Sequence, residues 1–231
     1  MQAQCLEISK RFGKDRGTST NCSGKMNAKA AASMYASEMT PFAHINLEDR
    51  DEPLTLAWPA NGNPAGFMNF ERADDWRNFI TALGINSRIP DITQRKFARA
   101  QTIYLLGWVD FSLIKAGELA ALIALELALM DRYGGQLSKS KRSFAALLKH
   151  MVAVEGLTDG DIPMVARCGG TAIGQLVGDI HPTLAERRNA LAHGDPFDGL
   201  PTGGLLELVR DLINFAYRDY IAEAPPLGVR A

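Results

Sequence analysis

Between Ile103 and Met130 lies the most apolar stretch of the chain, interrupted by four charged residues, Asp110, Lys115, Glu118 and Glu126. A bilayer rarely tolerates charges at such intervals, so the stretch reads as core helix of a soluble protein and not as a membrane span. At the N-terminus no apolar run follows the basic residues, so a secretory pattern is missing. With 231 residues the chain can bury a sizeable core, as one domain or one domain with a smaller appendage. A net charge of -1 lacks the basic excess of a dedicated electrostatic nucleic-acid binder. Nucleic acid stays open as a substrate, because a substrate needs only a local basic groove. Cys5, Cys22 and Cys168 are odd in number and scattered, which fits reduced thiols in a cytoplasmic compartment.

Residues 1–40 are rich in Ser, Lys, Arg, Gly and Ala and lack sustained periodicity, so they are expected to be weakly ordered. Their shortage of acidic residues has the flavour of an organellar presequence, but a later start at Met26, Met34 or Met39 is the simpler reading. Residues 41–90 form a small α/β appendage in this reading. Phe42–Leu47, Pro53–Trp58 and Phe67–Phe70 are short, partly alternating runs separated by turn residues, which predicts two or three strands, including a hairpin packed on helices. Residues 72–84 read as a short helix stopping at Gly84.

From residue 91 to 223 the pattern is helical. Asp91 is placed to cap a helix running from Ile92 towards Gly107, and a further stretch continues to Tyr133 and stops at Gly134-Gly135. Gly107 and Gly117 either break or bend that long element. Ser143–Val154 carries Phe144, Leu147, Leu148 and Met151 at helical spacing. A Gly-rich segment around Gly169-Gly170-Thr171-Ala172-Ile173-Gly174 lacks the ending of a phosphate-binding loop and reads as a flexible connection. A helix from Thr183 leads to Gly194, and a last one spans Leu205–Ala222. Three to four long helices with short connections predict a mainly α, up-and-down bundle.

The chemistry concentrates in Glu186-Arg187-Arg188-Asn189-Ala190-Leu191-Ala192-His193-Gly194-Asp195. Asn189 and His193 are one helical turn apart, and Arg188 adjoins Asn189. A guanidinium offers phosphate a planar fork of donors, and an imidazole exchanges protons near neutral pH. Together they suit phosphodiester cleavage by acid–base chemistry without a metal. The plainer alternative is a helix ending in which Arg caps carbonyls or pairs with Glu and His precedes a terminal Gly.

This cluster, Arg188-Asn189-Ala190-Leu191-Ala192-His193-Gly194 late in an all-helical region, resembles the HEPN family (higher eukaryotes and prokaryotes nucleotide-binding domain). The family motif is an Arg, often followed by a polar residue, then His after four to six intervening residues. Arg188 and His193 have four between them; Arg187 also fits, with five, and is assigned to binding. The resemblance covers residues 92–222. It implies a four-helix bundle that commonly dimerises around a shared cleft, and in many members a metal-independent endoribonuclease of toxin–antitoxin, antiviral or RNA-processing systems. In that setting His193 would act on the attacking 2′-hydroxyl or the leaving oxygen. Arg188 would stabilise the phosphorane, and Asn189 would orient His193 or the phosphate. The expected partners are RNA, a second copy of the chain and an antitoxin or other protein; no metal or cofactor is called for. The alternative is a catalytically inactive HEPN module that binds a nucleotide or a protein.

Two further groups carry expectations. One of Glu118 and Glu126 could pair with Arg187 or Arg188 and position it, although each alone reads more naturally as a solvated helix-edge residue. Asp179, His181, Glu186, His193 and Asp195 offer a less favoured metal-ligand set, because their spacing lacks the compactness of a helical His-x-x-x-His pair.

Overall fold

The computed structural model describes residues 42, 44–194 and 200–223. The expectations for residues 1–40, and for Asp195, fall outside them. Two antiparallel strands, β1 (Leu54–Ala57) and β2 (Phe67–Phe70), pair Leu54 with Phe70 and Ala57 with Phe67. Nine helices follow among the described residues: α1 (Ala73–Ala82), α2 (Asp91–Leu106), α3 (Leu113–Tyr133), α4 (Phe144–Ala153), α5 (Pro163–Cys168), α6 (Ile173–Val177), α7 (Leu184–Ala192), α8 (Leu205–Ala216) and α9 (Arg218–Glu223). The protein is mainly helical with one small sheet.

The apolar run of Ile103–Met130 is divided by a turn after Leu106: its first residues end α2, and the rest form most of the central helix, α3. It packs on α2 most extensively and also on α8, α4 and α7. Ala121, Leu122, Ala124, Leu125, Ala128 and Leu129 are fully buried, so more than one face of α3 is covered. Each fully buried Leu contributes about 1.5–3 kcal/mol relative to exposure. Gly107 and Gly117 behave differently. The chain leaves the helix at Gly107 and turns before α3 begins. Gly117 lies inside α3, where the Tyr104 ring of α2 rests on its backbone; a Cβ there would sit 2.6 Å from Tyr104 Cδ2. The missing side chain is what lets α2 and α3 approach.

The strand segment shares one continuous core with the helices through Leu54, Leu56, Trp58 and Phe70. Each of the three tryptophans buries its ring and finds an acceptor for its indole N–H, as a buried indole must. Trp58 Nε1 donates to Glu207 Oε2 at 3.0 Å, Trp76 Nε1 to the Leu105 carbonyl at 3.1 Å, and Trp108 Nε1 to the Glu48 carbonyl at 2.7 Å. The residues before α2 are thereby fastened to α2 and α8.

Several local expectations are corrected. The described residues of Phe42–Leu47 form no strand; Phe42 is buried in a turn with φ 80°, and Arg77 donates to the Phe42 and Ile45 carbonyls. Side-chain donors thus satisfy carbonyls that a sheet would otherwise pair. Pro90 is the residue before α2, and Asp91 is the first helical residue, ion-paired to Arg95 at 2.7 Å. The Gly-rich connection is largely structured. Asp159 accepts from Thr171 Oγ1 at 2.6 Å and from the Ala172 N–H at 2.8 Å, anchoring the start of α6. The final helix divides at Tyr217, a fully buried residue whose hydroxyl donates to Asp131 Oδ2 at 2.7 Å.

Candidate functional site

Helix α7 carries the cluster, and both of its ends are set by local chemistry. At its start Thr183 and Glu186 form a reciprocal cap: Thr183 Oγ1 accepts from the Glu186 N–H at 3.1 Å, and Glu186 Oε2 accepts from the Thr183 N–H at 2.8 Å. This satisfies two of the amides that a helix start leaves open. His181 Nδ1 lies 2.8 Å from the same Glu186 oxygen, and this contact, followed by the Thr183 amide, holds the Glu186 carboxyl below its ordinary range. At the far end His193 is the last near-helical residue, and Gly194 takes φ 83°, a conformation that suits glycine.

Leu184 and Leu191 are buried and seat α7 on the bundle. The two arginines then point to different parts of α3. Arg188 Nε donates to Glu126 Oε2 at 3.0 Å, and its Nη2 meets the same oxygen. Its Nη1 donates to Asn189 Oδ1 at 2.9 Å. The Arg188 and Glu126 side chains remain 29% and 24% exposed, so the pair is oriented without being sealed off. Glu126 is therefore a positioning partner for Arg188 and not a freely solvated edge residue. The amide oxygen of Asn189 is occupied by Arg188.

Arg187 turns towards the other glutamate. Its Nη1 donates to Thr202 Oγ1 at 3.0 Å, while its buried Nε–H has no acceptor among the described residues. Glu118 is 1% exposed, which corrects the solvated-edge expectation. The Thr202 backbone N–H donates to its carboxylate. Burial raises the Glu118 carboxyl from an ordinary 4.5 to about 7, against the opposing pull of the Thr202 amide, Lys115 and Arg187. A carboxyl poised there is part acid and part carboxylate at neutral pH.

Above Glu118 opens a cavity of about 550 Å³ lined by Lys115, Glu118, His181, Glu186, Arg187 and Thr202, with Pro182, Ala190 and Leu191 completing its wall. Arg187 lines this cavity; Arg188, Asn189 and His193 do not. Arg188 and His193 are five residues apart, which at about 100° per residue sets their directions about 140° apart on α7 and about 7.5 Å apart along it. His193 is exposed, and its ring has no hydrogen-bond partner among the described residues. Within one chain the motif thus presents a held guanidinium on one side of α7 and an open imidazole at its tip.

The chain matches no family model, no curated protein and no solved structure. The site has to be read from its own chemistry.

The sequence did not single out Lys115 or Thr202. Lys115 precedes Glu118 by three residues on α3, a helical-face spacing that was available as a signal; Thr202 is brought in only by the fold. His181 and Glu186, considered above as metal ligands, instead pair with each other, and no cluster of three or more His, Cys, Asp or Glu among the described residues is arranged to hold a metal. No helix among them is long and apolar enough to cross a membrane.

Proposed function

We propose that this chain is an HEPN-type, metal-independent endoribonuclease that acts as a homodimer on RNA, in a toxin–antitoxin or defence setting. The observation that carries the reading is the state of the motif. Arg188 is held by Glu126 and Asn189 yet remains accessible, and His193 stands exposed at the end of the same helix. Glu126 and Asn189 fix the direction of the guanidinium before any phosphate arrives, which is what electrostatic stabilisation of a transition state requires.

The angle between the two side chains favours a site shared between two copies. With directions about 140° apart on one helix, Arg188 and His193 of a single chain do not converge on one phosphate. Two α7 ends facing across a two-fold axis bring Arg188 of one copy beside His193 of the other. In that site the His193 imidazole takes the proton from a ribose 2′-hydroxyl, and O2′ attacks phosphorus. The P–O5′ bond breaks, O5′ takes up a proton from solvent water, and the His193 imidazolium returns its proton to solvent. The products are a 2′,3′-cyclic phosphate and a 5′-hydroxyl end, and Arg188 balances the charge that builds on the phosphorane oxygens.

The test is cleavage of several RNAs by the purified chain in excess EDTA. Wild type is expected to cleave, with His193→Ala and Arg188→Ala each slower by roughly 10²–10⁴-fold, the usual weight of one acid–base or electrostatic group. A folded wild type that cleaves none of them moves the assignment to a second reading, an inactive HEPN module that binds a nucleotide or a protein. That reading is favoured by one observation of its own: the cavity lies beside the motif and is lined by Arg187.

A further inference from the structure

We infer that the cavity between α3 and α7 binds a phosphomonoester, whose phosphoryl oxygens are taken by Lys115 and Arg187 and by the Glu118 carboxyl acting as a hydrogen-bond donor. The inference rests on the nucleotide-binding reading of this cavity and not on RNA cleavage, because Arg188, Asn189 and His193 take no part in it.

Charge is the first argument. Lys115 and Arg187 both line the cavity, and neither forms an ion pair with any described residue. Arg187 has spent one N–H on Thr202, and its buried Nε–H is left without an acceptor. Two cations that face a concave space, with only the partly protonated Glu118 between them, suit an incoming anion. Size is the second argument. A volume of about 550 Å³ is far more than a lone phosphate needs and lies within the ordinary range for small-ligand sites. The apolar wall of Pro182, Ala190 and Leu191 can cover the organic part of an ester.

Glu118 is the apparent objection, since a carboxylate repels phosphate. Its surroundings turn the objection into a signature. The charged and titratable groups around it are Lys115 on its own helix, Arg187 from α7 and the Tyr104 hydroxyl from α2, with the His181–Glu186 pair elsewhere on the cavity wall. Burial already holds the carboxyl near neutrality, so an arriving dianion completes its protonation. The neutral acid then donates to a phosphoryl oxygen. Binding takes up only the proton that the ionised fraction of Glu118 lacks, a share that grows as pH rises, and no covalent bond changes.

Calorimetric titration of the full chain with 5′-AMP, adenosine and inorganic phosphate tests this directly. AMP is expected to bind, inorganic phosphate to compete with it, and adenosine to bind roughly tenfold or more weakly. Lys115→Met and Arg187→Met should each weaken AMP binding roughly tenfold or more while leaving the circular dichroism spectrum unchanged. Between pH 7 and pH 8.5, where phosphate is already largely dianionic, wild-type affinity should fall roughly tenfold. Glu118→Gln should bind AMP without that fall. A 5′-phosphorylated oligoribonucleotide that displaces AMP identifies an RNA end as the source of the ligand; failure to displace identifies a free nucleotide. The inference is overturned if folded wild type binds no AMP at millimolar concentration, if adenosine binds as well as AMP, or if neither lysine nor arginine replacement matters.

Discussion

Replacing Glu118 by Gln should make the protein more stable in mild alkali while changing little in mild acid. The fold holds this carboxyl near 7, whereas an unfolded chain returns it to an ordinary 4.5. Between those values the folded state carries a proton that the unfolded state has lost. Raising the pH then favours unfolding, and the loss is complete once the pH has passed about 7. The gap of about 2.5 decades at about 1.4 kcal/mol each gives about 3–4 kcal/mol in full. About 2–3 kcal/mol of it should fall between pH 5 and pH 8, because at pH 5 the unfolded carboxyl is already mostly ionised. Gln keeps the acceptor that the Thr202 N–H uses and cannot ionise. Urea unfolding of both proteins at the two pH values gives the answer. Wild type should lose about 2–3 kcal/mol relative to the variant, equivalent to roughly 5–10 °C in Tm for a chain of this size. Carboxyls held below their ordinary range, such as Asp159 and Glu186, act at lower pH and cancel in the comparison. If wild type and variant follow parallel pH curves, Glu118 is ionised in the fold and the reasoning about its burial is wrong.

Three other perturbations are informative. Glu126→Ala removes the carboxylate that holds Arg188, and should cost about 1–2 kcal/mol in urea unfolding and slow RNA cleavage almost as much as Arg188→Ala. Thr183→Ala breaks the reciprocal cap of α7 and should lower stability by about 1 kcal/mol with cleavage reduced only in proportion to the folded fraction. Gly117→Ala drives a methyl group into the Tyr104 ring, and a loss of about 1–3 kcal/mol is expected by the same unfolding measurement; an unchanged midpoint would mean that α2 and α3 can separate freely at that point.

What was readable in the sequence follows the range of the forces involved. The central helix, its apolar spacing and the stop at Gly134 are local properties, and α3 runs as expected through Tyr133. Gly84 and Gly194 likewise ended the elements they follow. The two glycines that the sequence left undecided differ for a reason outside their own helix: Gly117 is crossed by Tyr104 of a neighbouring helix, whereas the chain turns at Gly107. The same holds at the site. Arg188 and His193 were visible as residue types, but the commitment of Arg188 to Glu126 joins positions 62 apart, and the burial of Glu118 depends on Thr202, 84 residues away. The cavity is a product of those long-range contacts: Lys115 carried a local mark in its spacing from Glu118, whereas Thr202 had none. The short helices α5 and α6 were missed because their lengths of 6 and 5 residues fall below what periodicity can register; Asp211, accepting from the Met164 N–H, holds α5, and Asp159 holds the start of α6.

Mixing two inactive variants puts the central claim to its most direct trial. Arg188→Ala and His193→Ala are each unfolded, refolded together in equal amounts and assayed with RNA in EDTA for 2′,3′-cyclic phosphate ends. If each site joins Arg188 of one copy to His193 of the other, half of the dimers carry both variants and each of these retains one intact site of two, so activity should return to about a quarter of wild type. A mixture as inactive as its parents, beside an active wild type refolded in the same way, contradicts a site shared between copies.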